Sequence, residues 1–115
     1  MPQRTPFERL AHILDNAERA LLFVEGRKRA DLEKDTQLLY ALLHCLQVIG
    51  EAASGIPKPM RERFPAVPWE LMVRMRQHLV HDYDAVIGDI VWDTVEQDMP
   101  RLIEEISKVI PPEHT

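Results

Sequence analysis

Apolar residues recur at intervals of three or four positions over long stretches of this chain, and that spacing limits its fold more than any other feature. Phe7, Leu10, Ala11, Leu14, Ala17, Leu21 and Val24 keep the interval as far as Gly26. With ~3.6 residues per turn, such residues line one face of an α-helix, whereas a half-buried strand would alternate apolar and polar positions. The segment Thr5-Pro6-Phe7-Glu8 supplies the start. The Thr5 hydroxyl caps free amides, Pro6 suits the first turn, and Glu8 closes a capping box. Gly26 is the expected stop.

The same pattern predicts three further helices. From Asp31 to about Ser54, Leu32, Leu39, Leu42, Leu43, Leu46, Val48, Ile49 and Ala53 are apolar over a wide arc, as in the central member of a bundle. Gly55-Ile56-Pro57-Lys58-Pro59 ends that helix, and Pro57, Pro59, Pro65 and Pro68 stiffen the connection. A short extra helical turn is expected near residues 60–64. Pro68 then opens a third helix running from Trp69 to about Val80. After a loop over Asp84–Gly88, a fourth begins near Asp89 and extends to Ile110, kinked at Pro100. The expectation is an all-α, four-helix up-down bundle: a single domain over residues 1–115 with a disordered tail from about 111.

Composition narrows the function. Cys45 is the only cysteine, so neither a disulfide framework nor a thiolate metal cluster is available. The first residues carry no apolar signal core, and no uncharged run approaches the ~20 residues that span a bilayer. A soluble, cytoplasmic protein without membrane attachment is expected, and no cofactor or metal is called for. The formal net charge of -5 argues against a broad basic surface for non-specific nucleic-acid binding. Local basic clusters remain: Arg27-Lys28-Arg29, for which plain surface charge is the simpler reading, and the set Arg61, Arg63, Arg74 and Arg76.

The run Met75-Arg76-Gln77-His78-Leu79-Val80-His81-Asp82-Tyr83 carries the chemistry. On a helical projection Trp69, Met72, Val73, Leu79, Val80 and Tyr83 share one arc, with Arg76 at its centre. A guanidinium aimed at a core costs several kcal/mol (roughly) unless it is paired or opens onto a cleft. Arg76 and His81 combine a permanent cation that grips a phosphate through two parallel hydrogen bonds with an imidazole that moves a proton near neutral pH. That combination suits RNA cleavage, in which the ribose 2′-hydroxyl is an internal nucleophile and no metal is required. Five residues apart on an ideal helix, the two side chains point ~140° from each other and sit ~7.5 Å apart along the axis. Either the helix ends near Val80 and swings His81 back, or a two-fold axis brings Arg76 of one copy beside His81 of another. A structural reading stands beside this one: Arg76 snorkels or pairs with a carboxylate such as Glu51, and His81 complements the helix dipole. His12 and His44 read as helix-face residues, His114 as tail, His78 as surface, and Cys45 as a small buried hydrophobe.

Arg76-Gln77-His78-Leu79-Val80-His81-Asp82-Tyr83 resembles the R-x-x-x-x-H-x-Y motif of the HEPN superfamily, specifically its HepT-like toxins. The likeness extends to Leu46-Gln47-Val48-Ile49-Gly50-Glu51-Ala52, similar to the family's second helix, to Val67-Pro68-Trp69 ahead of its third, and to Ile90-Val91-Trp92 at the start of its fourth. The resemblance implies a homodimeric, metal-independent endoribonuclease toxin with Arg76 and His81 in a cleft between protomers. It also implies a companion, an MntA-like nucleotidyltransferase antitoxin of a type VII pair, which transfers AMP from ATP to Tyr83. Gln77 departs from the Asn, Asp or His that often follows the motif arginine. Asp82 stands beside His81, where it either raises the imidazole's affinity for a proton or faces solvent. Competing readings are a non-catalytic helical subunit that presents substrate or nucleotide to a nucleotidyltransferase, and an interaction module with a decayed site.

Overall fold

The computed structural model describes the backbone of residues 5–81 and 85–111, with the side chains of all of these except 77–81 and 85–86. The described residues are helical throughout, joined by turns and short links. In chain order they are α1 (Pro6–Val24), α2 (Asp31–Lys34), α3 (Thr36–Ser54), α4 (Lys58–Arg63), α5 (Trp69–His81), α6 (Ala85–Asp93), a π-helical turn (Thr94–Asp98) and α7 (Met99–Val109). α3 packs on both α1 and α5, and α1 packs in turn on α7. The expected four-helix bundle is therefore present, with α2 and α4 as short additions and the fourth helix made of α6, the π-turn and α7.

Local chemistry explains the boundaries. The Thr5 hydroxyl accepts from the Glu8 amide at 3.1 Å while the Glu8 carboxylate accepts from the Thr5 amide at 3.1 Å, the reciprocal box that the sequence predicts. Gly26 takes φ 72°, a left-handed conformation that glycine adopts without a Cβ penalty, and the chain turns there. α1 buries Leu10, Ile13, Ala17, Ala20 and Val24. Phe7, Leu14 and Leu21, expected on the buried stripe, are only partly covered, so the core face is turned slightly from the one the apolar spacing suggests.

Two expectations are corrected, and a third acquires local detail. The helix expected over Asp31–Ser54 is interrupted at Asp35, whose backbone is extended (φ -118°, ψ 90°). The Asp35 side chain caps α3 by accepting from the Leu38 amide at 3.0 Å and receives the Arg27 guanidinium at 2.8 Å on its other oxygen. Residues 85–88 of the expected Asp84–Gly88 loop are helical, since they belong to α6; Asp84 lies outside the described residues. Beside Pro100, where a kink is expected, the ladder widens: the Met99 amide reaches back five residues to the Thr94 carbonyl. A proline has no amide to donate, and its ring crowds the carbonyl four residues earlier, so a wider turn relieves both defects. Residues 112–115, where the disordered tail is expected, lie outside the described residues.

The core is continuous from Leu10 and Ile13 through Leu42, Leu46 and Ile49 to Met72, Met99, Leu102 and Ile106, each essentially inaccessible to water. Burial of side chains of this size contributes about 1.5–3 kcal/mol apiece. Cys45 lies in this core, 2% exposed, and burial pushes its thiol above the ordinary range, so it behaves as the small hydrophobe expected of it. Among the described residues no helix is long and apolar enough to cross a membrane.

Candidate active site

α5 carries the motif and is anchored at both its start and its middle. The Trp69 indole N–H donates to the carbonyls of Arg61 (3.1 Å) and Phe64 (3.0 Å), which ties the end of α4 to the first turn of α5. Each of those carbonyls also accepts a backbone amide, Arg61 from Phe64 and Phe64 from Val67, both at 3.2 Å. Trp69, Met72 and Met75 then face the core. At ~100° per residue these three are centred on Met72, and Arg76 lies ~40° to one side. The sequence places Arg76 at the centre of an arc that includes Leu79, Val80 and Tyr83, whose side chains lie outside the described ones; the buried residues described on α5 are centred ~40° away, on Met72.

That displacement decides the environment of Arg76. Its Cβ is pressed against α3 at Gly50: a methyl group built on Gly50 would lie 2.8 Å from the Arg76 Cβ and 3.0 Å from the Met72 carbonyl oxygen. The root of the side chain is thus packed between two helices. Its far end is not, since the side chain is 50% exposed and its Nε stands 4.0 Å from a Glu51 carboxylate oxygen that is itself largely exposed. The feared burial of an unpaired charge does not arise. An exposed ion pair at that separation is worth about 0–1 kcal/mol, so Glu51 does not hold the guanidinium closed against an incoming anion.

α5 continues as helix through His81, the second predicted site residue. That end lies within one residue of the one expected near Val80. The side chains of Gln77, His78 and His81 lie outside the described ones, and Asp82 and Tyr83 lie outside the described residues altogether. Of the five predicted site residues, the structure therefore places the side chain of Arg76, and the backbone of Gln77 and His81.

The other basic cluster is accounted for within the chain. Arg27 is paired with Asp31 (3.4 Å) and Asp35 (2.8 Å), and Arg29 reaches Asp89 of α6 at 2.7 Å and Glu33 at 3.6 Å. These arginines tie the α1–α3 connection to itself and to α6, and their charge is compensated locally. By contrast Arg76 keeps half its side chain in solvent. An open groove of about 700 Å³ between α1 and α3 is lined by His12, Asp15, Arg19, Tyr40 and His44, with Cys45 beneath them. His12 and His44 are helix-face residues there, as expected, and Asp15 is engaged with Arg19 at 3.0 Å. Among the described residues no three or more His, Cys, Asp or Glu side chains are grouped so as to hold a metal ion.

Fold and site together define a class: an all-α bundle of the HEPN kind, with a solvent-reaching arginine rooted where the helix bearing the R-x-x-x-x-H-x-Y pattern crosses its neighbour. The chain belongs to the ribonuclease HepT-like family, whose model matches residues 13–109. It is 35% identical over 107 residues to "Putative RNase TTE0752" of Caldanaerobacter subterraneus, covering 93% of this chain and 96% of the relative. It is 33% identical over 110 residues to "Putative RNase MJ1216" of Methanocaldococcus jannaschii, covering 96% and 91%. With "Probable ribonuclease HepT" of Thermococcus cleftensis it shares 38% identity over 77 residues, 67% of this chain and 68% of the relative. No solved structure matches the chain.

The sequence reading missed two residues that shape this site. Gly50 appeared only as one letter of a family-like stretch, because a glycine inside a helical run does not reveal which neighbour approaches it. Trp69 was read as part of an apolar arc, although an indole N–H within reach of a helix end is a recognisable signal for a terminal cap.

Proposed function

We propose that this chain is a metal-independent endoribonuclease acting as the toxin of a HepT/MntA-type pair, with Arg76 and His81 meeting in a cleft of a homodimer. The observation that carries the reading is the state of Arg76: fixed at its root by the α3–α5 crossing, half exposed, and tethered only loosely to Glu51. A guanidinium in that state can exchange a weak carboxylate contact for a bidentate phosphate contact. The five-residue spacing supports the dimer, because two residues ~140° apart on an ideal helix converge on a single phosphate when a second copy supplies one of them.

In the proposed reaction the imidazole of His81 takes the proton of the ribose 2′-hydroxyl. The 2′-oxygen attacks the adjacent phosphorus, the bond to the 5′-oxygen breaks, and that oxygen leaves with a proton returned by an acid. A 2′,3′-cyclic phosphate and a free 5′-hydroxyl result. Arg76 stabilises the charge that grows on the non-bridging oxygens. Gln77, next in the helix, and Asp82, beside His81, are supporting groups. The proposed antitoxin is a nucleotidyltransferase that transfers AMP from ATP to the Tyr83 hydroxyl with loss of pyrophosphate. A charged adduct there crowds the cleft and repels the RNA backbone.

The test is cleavage of a single-stranded RNA in the presence of a chelator. Wild-type protein is expected to cut it, leaving cyclic phosphate ends, while Arg76→Ala and His81→Ala lose cutting and keep their helical content. Cleavage by both variants at the wild-type rate means the catalytic assignment is wrong.

A further inference from the structure

We infer that Gly50 is a positioning residue for Arg76: the missing side chain at position 50 lets α5 approach α3 closely enough to set the height from which the guanidinium reaches the RNA phosphate. The inference rests on the ribonuclease reading and extends it to a residue on a different helix.

The geometry is specific to this glycine. A Cβ at position 50 would stand 2.8 Å from the Arg76 Cβ, 3.0 Å from the Met72 carbonyl oxygen and 3.2 Å from the Arg76 amide nitrogen. All three atoms belong to the α5 backbone or to the first carbon attached to it, so none moves without the helix. Carbon atoms in favourable contact sit ~3.5–4.0 Å apart, so accommodating even a methyl group requires α5 to retreat by about 1 Å. At Gly55 and Gly88, by contrast, the first atoms a Cβ would meet belong to the guanidinium groups of Arg9 and Arg29, the ends of flexible side chains that can step aside.

Position 50 lies inside α3, a 19-residue helix, where glycine is a poor helix former and alanine a good one. Helix propensity alone makes Gly50→Ala favourable, and only the crossing opposes it. The neighbouring residue completes the arrangement: Glu51 lies one position along, with its carboxylate 4.0 Å from the Arg76 Nε. Gly50 sets how far the arginine stands from α3, and Glu51 offers its guanidinium only a loose, exposed partner. A displacement of ~1 Å in a group that must meet a transition state costs up to ~100-fold in rate.

The experiment measures binding of a fluorescent single-stranded RNA against salt concentration, together with the cleavage rate, for wild type, Arg76→Ala, Gly50→Ala, Gly55→Ala and the Arg76→Ala/Gly50→Ala pair. Each phosphate contact on a single strand contributes ~0.7 to the slope of log affinity against log salt. Arg76→Ala is expected to lower the slope by about that amount. Gly50→Ala is expected to lower it equally, with a cleavage rate reduced ~100-fold. The pair shows no further loss, and Gly55→Ala matches wild type. A loss of thermal stability alone does not change the number of phosphates contacted, so the slope separates positioning from general damage. A wild-type slope and rate in Gly50→Ala, beside a diminished slope in Arg76→Ala, overturns the inference and leaves the ribonuclease reading intact. An unchanged slope and rate in Arg76→Ala overturns both. Should Gly50→Ala not fold, a crystal structure of the wild-type protein decides: a crossing of α3 and α5 with room for a Cβ at position 50 overturns the inference, and one without that room supports it.

Discussion

Arg76 works through a division of labour within a single side chain. Its Cβ is locked against Gly50, and its guanidinium is half in water beside Glu51. Fixing the root limits the entropy lost when the head closes on a phosphate, and leaving the head in solvent avoids the cost of a buried cation. Lysine carries the same charge but cannot offer two parallel donors. Arg76→Lys is therefore expected to keep a wild-type salt slope for RNA binding while its cleavage rate falls by about tenfold or more, a difference of ~1.4 kcal/mol or greater in transition-state stabilisation. A wild-type rate as well as a wild-type slope in Arg76→Lys would mean that Arg76 contributes only its charge. The arginine was legible in the sequence because a cation on an apolar arc is anomalous. Its surroundings were not, since Gly50 is 26 residues upstream on another helix and nothing in a linear pattern pairs the two.

The helices themselves show where periodicity is informative and where it is silent. The capping box at Thr5 and Glu8, the stop at Gly26 and the helix after Pro68 were readable because each depends on residues within one turn of the boundary. The break at Asp35 was not read: no glycine or proline marks it, and the apolar spacing runs through it. Even so, Asp35 carries the chemistry of a helix start, accepting from the Leu38 amide, while Arg27 occupies its other oxygen. Arg27 holds the Asp35 carboxyl below its ordinary value of 3.8, helped by the Leu38 amide, and the Lys28 amide does the same for Asp31. The sign follows from linkage: a carboxyl whose folded value is lowered contributes stability in full above the ordinary value, and that contribution is lost as pH falls through the lower folded one. Asp35→Ala, which removes both cap and pair, is expected to lower the melting temperature at pH 7 more than Asp35→Asn, which keeps a capping oxygen. The gap between wild type and Asp35→Ala should narrow as the pH drops below the ordinary carboxylate range. A gap that stays constant down to strongly acid pH would show that the Asp35 carboxylate does not contribute through its charge.

At the scale of the molecule, the all-α bundle was the most legible property, because four long apolar-periodic stretches joined by short links have few other ways to bury their faces. Membership of the ribonuclease HepT-like family over residues 13–109 agrees with that reading. What one chain does not display is how two chains would meet, since the residues that join across a two-fold axis carry no mark of their partnership. The five-residue spacing of Arg76 and His81 sharpens the question, because on an ideal helix it points the two side chains ~140° apart. The most direct test of the proposed shared site is to mix Arg76→Ala with His81→Ala protein, each inactive alone, under conditions that exchange subunits, and to measure RNA cleavage in chelator. If the site draws Arg76 from one copy and His81 from the other, half of the randomly formed dimers regain one intact site of two, and cleavage returns to about a quarter of the wild-type rate. A mixture that exchanges subunits and still cuts no RNA, while wild type cuts it, contradicts a site shared between protomers.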